Sequence, residues 1–274
     1  MKGEMPINEK DAQSRKIWKK RLINLGIVIL SLSSFTAVWW AVALYLNIAY
    51  LPTPPVVFKA FFESFYINDP NLGNKMGQNI VVSGERFIGG FFLALVIAVP
   101  LGLLMGFLSS INTFAKPIIE LLRPIPPIAW VPFFFVAFGT FWNPILTVFI
   151  GAFFPILTNV ILGVRSVEPA MLDAARTQGA RRVDLFSKVI LPFSVPYLMT
   201  GITIGLGVAW MCIVAAEWYG AVGGGVGYYI IISGQTAFYA NMFAGMIVIA
   251  LLGLSTVTLS GYLESLIKKR MGMK

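Results

Sequence analysis

The chain contains no histidine and a single cysteine, Cys212. Without histidine it lacks the commonest metal ligand and the one side chain whose ordinary pKa lies near neutrality. One cysteine excludes an internal disulfide and a thiolate metal cluster. Charge is scarce as well: 12% of residues are charged, against roughly a quarter in a soluble domain. No G-x-x-x-x-G-K-[ST] run occurs, so the chain is not expected to bind ATP itself. These gaps leave no expected catalytic residue, metal ligand or cofactor, and a membrane enzyme is disfavoured. What fills the sequence is apolar: 57% of residues are hydrophobic. They fall in recurring runs of roughly 20 residues, the length that crosses a bilayer. An all-α polytopic membrane protein with about six transmembrane helices is expected.

The formal charge of +9 could suggest nucleic acid. The basic residues instead cluster beside apolar segments, which is the positive-inside pattern, and no nucleic-acid partner is expected. Residues 1–21 read as a polar, mobile cytoplasmic tail. The apolar run after it exceeds a signal-peptide core and ends in no small-residue cleavage site, so it reads as a retained first span, Leu22 to Leu46. The rest of 22–78 is an outer segment broken by prolines, with an interfacial helix near Phe58 to Phe65. Residues 79–266 form the main membrane domain.

Span 2 is read as Arg86 to Leu108, with Gly102 and Gly106 as a small-xxx-small pair that admits a close neighbour. Ser109 to Arg123 reads as a short inner connection. Span 3, Ile128 to Phe138, has an irregular proline-rich lead-in. Irregular backbone at membrane depth is tolerated only beside protein or a water-filled cavity. That makes Pro126, Pro127 and Trp130 candidate pathway residues, with a purely structural proline kink as the alternative. Gly139 to Pro144 is an expected outer turn, Ile145 to Val164 span 4, Tyr197 to Ala216 span 5, and Asn241 to Leu263 span 6. Residues 267–274 form a basic inner tail.

With six spans and the N-terminus inside, 18 of the 21 basic residues fall on the inner side; only Lys59, Lys75 and Arg86 fall outside. This asymmetry puts both termini and the polar stretch Val167 to Pro192 in the cytoplasm, in a cell or inner membrane. Within that stretch, Glu168-Pro169 suits a helix start. Gly179 suits a helix stop, and a second short helix is expected from Arg181 to Ile190, ending at Pro192. Ala174-Ala175 flatten one side of the first helix, so another protein surface could come close. A merely solvated loop with two frayed helices is the alternative.

Asp173-Ala174-Ala175, Gly179, Leu191 and Pro192 resemble the EAA motif (EAA-x3-G-x9-I-x-L-P) of ABC importer permeases. Asp173 stands for the usual Glu and Val189 for the Ile, and the spacing matches throughout. The resemblance implies a type I importer membrane subunit with a coupling helix. Asp173, Ala174, Ala175 and Gly179 would meet the ATPase, with Arg181 and Arg182 nearby. It implies two ATP-binding subunits, a second permease copy as a homodimer, an extracytoplasmic solute-binding protein and the surrounding lipid as partners. The runs Leu51-Pro52-Thr53-Pro54, Arg123 to Pro132, Val214 to Glu217 and Gly225 to Tyr228 resemble the nitrate/sulfonate/taurine/bicarbonate branch. A small anion is therefore the favoured cargo, with a vitamin precursor or aromatic solute still open.

Glu217 ends an apolar span, and an ionisable residue there is a pathway candidate by default; a solvated helix end is the alternative. Glu85-Arg86 reads as a local ion pair, and Gly223 to Gly227 as a flexible turn rather than a phosphate cradle. A stand-alone ion-coupled transporter would carry charged residues in its span centres, and spans 1 and 3 to 6 have none there.

Overall fold

A computed structural model describes residues 7–219 and 223–271. The parts of the expected tails at 1–6 and 272–274, and residues 220–222, lie outside the described residues. The chain forms two units, one up to Lys59 and one from Ala60 on. All regular elements among the described residues are helical. In the first unit, α1 (Ile7–Leu46) contains the apolar segment Leu22–Leu46. The helix begins well before Leu22, so the backbone of the expected tail is helical from Ile7. Leucine, isoleucine and valine stand exposed along the apolar part, as befits a helix whose solvent is lipid. The helix α2 (Pro54–Tyr66) lies across the boundary between the units.

The second unit contains α3 (Met76–Phe107), α4 (Ser109–Leu122), α5 (Pro127–Arg165), α6 (Pro169–Thr177), α7 (Arg182–Asp184), α8 (Leu191–Glu217), α9 (Val226–Gln235) and α10 (Tyr239–Arg270). Among the described residues, five helical segments are long and apolar enough to cross a membrane: Leu22–Leu46, Met76–Phe107, Pro127–Arg165, Arg182–Glu217 and Tyr239–Arg270. The third would be roughly 58 Å long if straight, about twice the hydrocarbon thickness. It is broken instead at Gly139, whose φ of 76° and ψ of −176° are non-helical.

Packing shows what the break does. On α3, Gly90, Ala94, Ala98, Gly102 and Gly106 recur every fourth residue on one face. Val148, Ala152, Ile156, Val160 and Val164 form the matching row on α5. A Cβ on Gly102 would stand 2.8 Å from Val160, and one on Gly106 would meet Val164. One on Gly90 would meet Val148 at 2.7 Å. The matched numbers rise together, so α3 and the later arm of α5 run parallel. Two parallel helices need a return between them, and only 108–139 is available. The helix α4 and the first arm of α5 supply it, which gives the sixth crossing expected from the sequence. The turn expected at 139–144 is a single residue, with helix resuming at 140.

The remaining contacts are antiparallel. Gly151 abuts Cys212, and Gly163 abuts Tyr197. The Trp210 indole N–H donates to Thr256 Oγ1 at 3.0 Å, and Thr200 Oγ1 donates to Glu264 Oε1 at 2.6 Å. One end of this unit thus holds Arg165, α6, α7 and the end of α10; the far end holds the start of α3, Gly139, Glu217 and α9.

Several boundaries differ from expectation. The helix α3 starts ten residues before Arg86, so Asn79 and Ser83 are helical. The expected connection 109–123 is mostly helix, α4, with Ile111, Ala115 and Ile119 packed on the core. Pro192 does not end a helix. A π-helical turn, Leu185–Ile190, leads directly into α8. The wider turn moves the carbonyl that the Pro192 ring would otherwise strike.

Candidate functional site

The loop at the basic end is built around α6. Pro169 opens it at a position where a missing N–H costs nothing. Its end is a Schellman motif: the Ala180 N–H donates to the Ala175 carbonyl at 3.1 Å, and the Gly179 N–H to the Arg176 carbonyl at 2.9 Å. Gly179 takes φ of +84° with open space around it, so backbone conformation rather than crowding calls for glycine. Leu172 packs against the cluster of Val164, Val167 and Ile190, which holds α6 to the ends of α5 and α8. Asp173 and Ala174 face outward and Ala175 is half-buried. Asp173 pairs with Arg176 at 2.8 Å. Arg182 lies over the Phe107 ring, 5.2 Å from its centroid. The loop residues singled out from sequence thus share one surface-exposed corner. Leu191 and Pro192 are exposed in the first turn of α8, and Arg181, also exposed, precedes α7.

At the far end lies a buried charged cluster. Glu217 has no exposure. Its Oε1 accepts from Arg86 Nη1 at 2.7 Å and Ser83 Oγ at 2.9 Å, and its Oε2 accepts from the Gly227 N–H at 2.8 Å. Arg86 also donates to the Gly224 carbonyl at 2.7 Å. Ser83 Oγ accepts from the Val226 N–H, and Asn79 Oδ1 from the Gly225 N–H. The first N–H groups of α9, which have no partner inside the helix, are therefore capped by side chains from α3 and α8. Glu217 is neither a solvated helix end nor open to a passage, and Arg86 pairs across helices with Glu217. The later glycines of the run are packed closely: a Cβ on Gly225 or Gly227 would meet the Glu217 side chain, whereas Gly223 has open space around it. Asn79, Ser83 and Arg86 were missed as a set, although their i, i+4, i+7 spacing puts them on one helical face. The expected span 2 begins only at Arg86, so Asn79 and Ser83 fall before it.

The other candidate pathway residues, Pro126, Pro127 and Trp130, lie at the break between α4 and α5 and in the first turn of α5. Pro126 is exposed, and Pro127 lines a cleft beside α5 and α8. Trp130 stacks on Phe134, and its buried indole N–H has no partner among the described residues.

A bundle of bilayer-length helices with a folded polar loop at its basic end defines a multi-pass membrane protein. The chain belongs to the binding-protein-dependent transport system inner membrane component family, whose model matches residues 98–273. It is 40% identical over 251 residues to a putative ABC transporter permease of Methanocaldococcus jannaschii, covering 90% of this chain and 92% of the relative. It is 33% identical over 254 residues to the taurine transport system permease protein of Escherichia coli, covering 90% of each. A putative aliphatic sulfonates transport permease of Bacillus subtilis is 30% identical over 261 residues, covering 94% of this chain and 90% of the relative. Among solved structures, a chain of the inward-facing MetNI methionine ABC transporter matches with a TM-score of 0.61 at 20% identity, over 70% of this chain and 95% of that one. That likeness shows a shared fold. The chain is thus an ABC importer permease, a membrane subunit that works with an ATP-binding subunit and a solute-binding protein.

Proposed function

We propose that this permease carries a small oxyanion of the sulfonate, taurine, nitrate or bicarbonate kind, received from the solute-binding protein at the far end. The observation that carries the reading is the similarity to taurine and sulfonate permeases along nine-tenths of their length. Two copies pair around a central path, and each docks one ATPase through α6 and Gly179. The basic end is cytoplasmic, termini included, in keeping with the charge asymmetry. Closure of the ATPases on ATP pushes the two loops together and rotates the helix bundles as rigid bodies, so access switches from inside to outside. The exposed Asp173–Ala174 face of α6 and the anchoring of Leu172 support the docking role, since a lever needs a free face and a fixed root.

The test is the reconstituted importer in proteoliposomes. ATP-dependent uptake of taurine, an alkanesulfonate or nitrate is expected from the wild-type complex, and uptake of none of them refutes the anion reading. Gly179→Asp is expected to weaken ATPase co-purification and abolish uptake. Unchanged complex and uptake would refute the docking role.

A further inference from the structure

We infer that Arg123 and the cleft beneath it form an oxyanion-binding station part-way through the membrane; this rests on the anion-import reading above. The cleft has a volume of about 290 Å³ and is lined by Arg123, Pro127, Gly151, Pro155, Thr158 and Asn159, among others. Arg123 occupies the break between α4 and α5, is exposed, and makes no side-chain hydrogen bond or ion pair with any described residue. Its neighbours in the cleft fix its depth. Pro155 to Asn159 precede Arg165, at the basic end of α5, by a helical distance of roughly 9–15 Å. Arg123 therefore stands along the apolar length of the bundle rather than at its basic end.

A cation at that depth cannot face lipid without a large cost, so this side faces water or a partner. The backbone says the same. Four residues, 123–126, interrupt the helices, and such a gap is tolerated at membrane depth only beside protein or an aqueous cavity. The cleft wall is polar where it counts. Pro155 has no N–H, which leaves the Gly151 carbonyl without its helical donor. The half-buried Thr158 and Asn159 add a hydroxyl and an amide, which donate to the Phe154 and Pro155 carbonyls of their own helix.

The sign of the site is positive. No carboxylate lines the cleft. The first arm of α5 begins at Pro127, so its N-terminal N–H groups and dipole point into the same break. The Gly151 carbonyl and the carbonyls at the end of α4 oppose this, but with partial charges, whereas the guanidinium carries a whole one. Its planar fork suits the paired oxygens of a sulfonate, nitrate or bicarbonate. A discontinuous helix presenting an N-terminus and a cation at membrane depth is an arrangement suited to an anion in transit.

The experiment uses the full importer. Thr158→Cys is made with native Cys212 retained, because that thiol is buried. It is reacted with negatively and positively charged methanethiosulfonates of similar size. The anionic reagent is expected to react faster by about tenfold, and Arg123→Gln in the same background to remove or reverse the preference. An equal preference with and without Arg123, or no reaction from water, overturns the site. In parallel, Arg123→Gln is expected to cut taurine, alkanesulfonate or nitrate uptake by about tenfold or more, with Arg123→Lys recovering part of it. Wild-type uptake with an undiminished Arg123→Gln rate refutes the station alone. Absence of uptake by the wild type refutes the cargo reading on which it rests. If Arg123→Gln does not assemble, the Arg123→Lys reagent ratio decides. Lysine keeps the charge, so that ratio must stay in favour of the anion, and loss of it overturns the proposal.

Discussion

At the scale of single residues, two buried charges of opposite sign meet at the far end of the bundle. Glu217 and Arg86 neutralise each other and cap the start of α9. Removing one partner leaves the other buried and unpaired, which typically costs 3–5 kcal/mol. Glu217→Met and Arg86→Met are therefore each expected to lower the melting temperature of the detergent-solubilised protein markedly. The double variant is expected to regain part of the loss, because no lone charge remains. Fully additive losses would sink the pairing argument. This cluster was only half legible in the sequence. Glu217 stood out as an acid beside an apolar run, but its partner lies 131 positions away and on a helix that begins earlier than hydropathy suggests. Arg123 was hidden for a related reason: counted as one more basic residue near an inner end, it gains meaning only when the chain folds it over Thr158 and Asn159.

At the scale of helices, glycine positions separate packing from conformation. On α3, a Cβ at Gly84 would meet nothing within 4 Å, whereas one at Gly102 would stand 2.8 Å from Val160. Gly84→Ala is expected to stabilise by up to about 1 kcal/mol, the helical advantage of alanine. Gly102→Leu is expected to force α3 away from α5 and destabilise by about 1–3 kcal/mol, the usual range for overpacking. Unfolding in a denaturing detergent series would rank the two, and similar shifts for both would refute the close approach. Helix existence was readable from apolar run length, and the Gly102/Gly106 pair was visible as a motif. Helix ends were less so. The helical start at Met76 is closed by Gln78, whose side-chain oxygen accepts from the Lys75 N–H at 3.0 Å, a polar opening turn that apolar run length does not register.

At the scale of the whole molecule, topology follows from direction. Because α3 and the later arm of α5 are parallel, the chain must cross back between them, and the loop holding Gly179 shares an end with the close of α10. Single cysteines at Gln178 and Met271 are expected to react with a membrane-impermeant thiol reagent from one side of right-side-out and inverted vesicles, and one at Lys75 from the other. Labelling of all three from the same side would overturn the six-crossing path. The matched rows on α3 and α5 also carry a mechanical meaning. A slide by one or two residues would carry the α5 valines off the small residues of α3 and toward bulkier ones such as Leu95 and Leu103, so the two helices mesh like racks. The tooth pitch is four residues, roughly 6 Å. Small axial displacements are blocked, and a push delivered at the basic end reaches the far end without being lost as slip between these two helices.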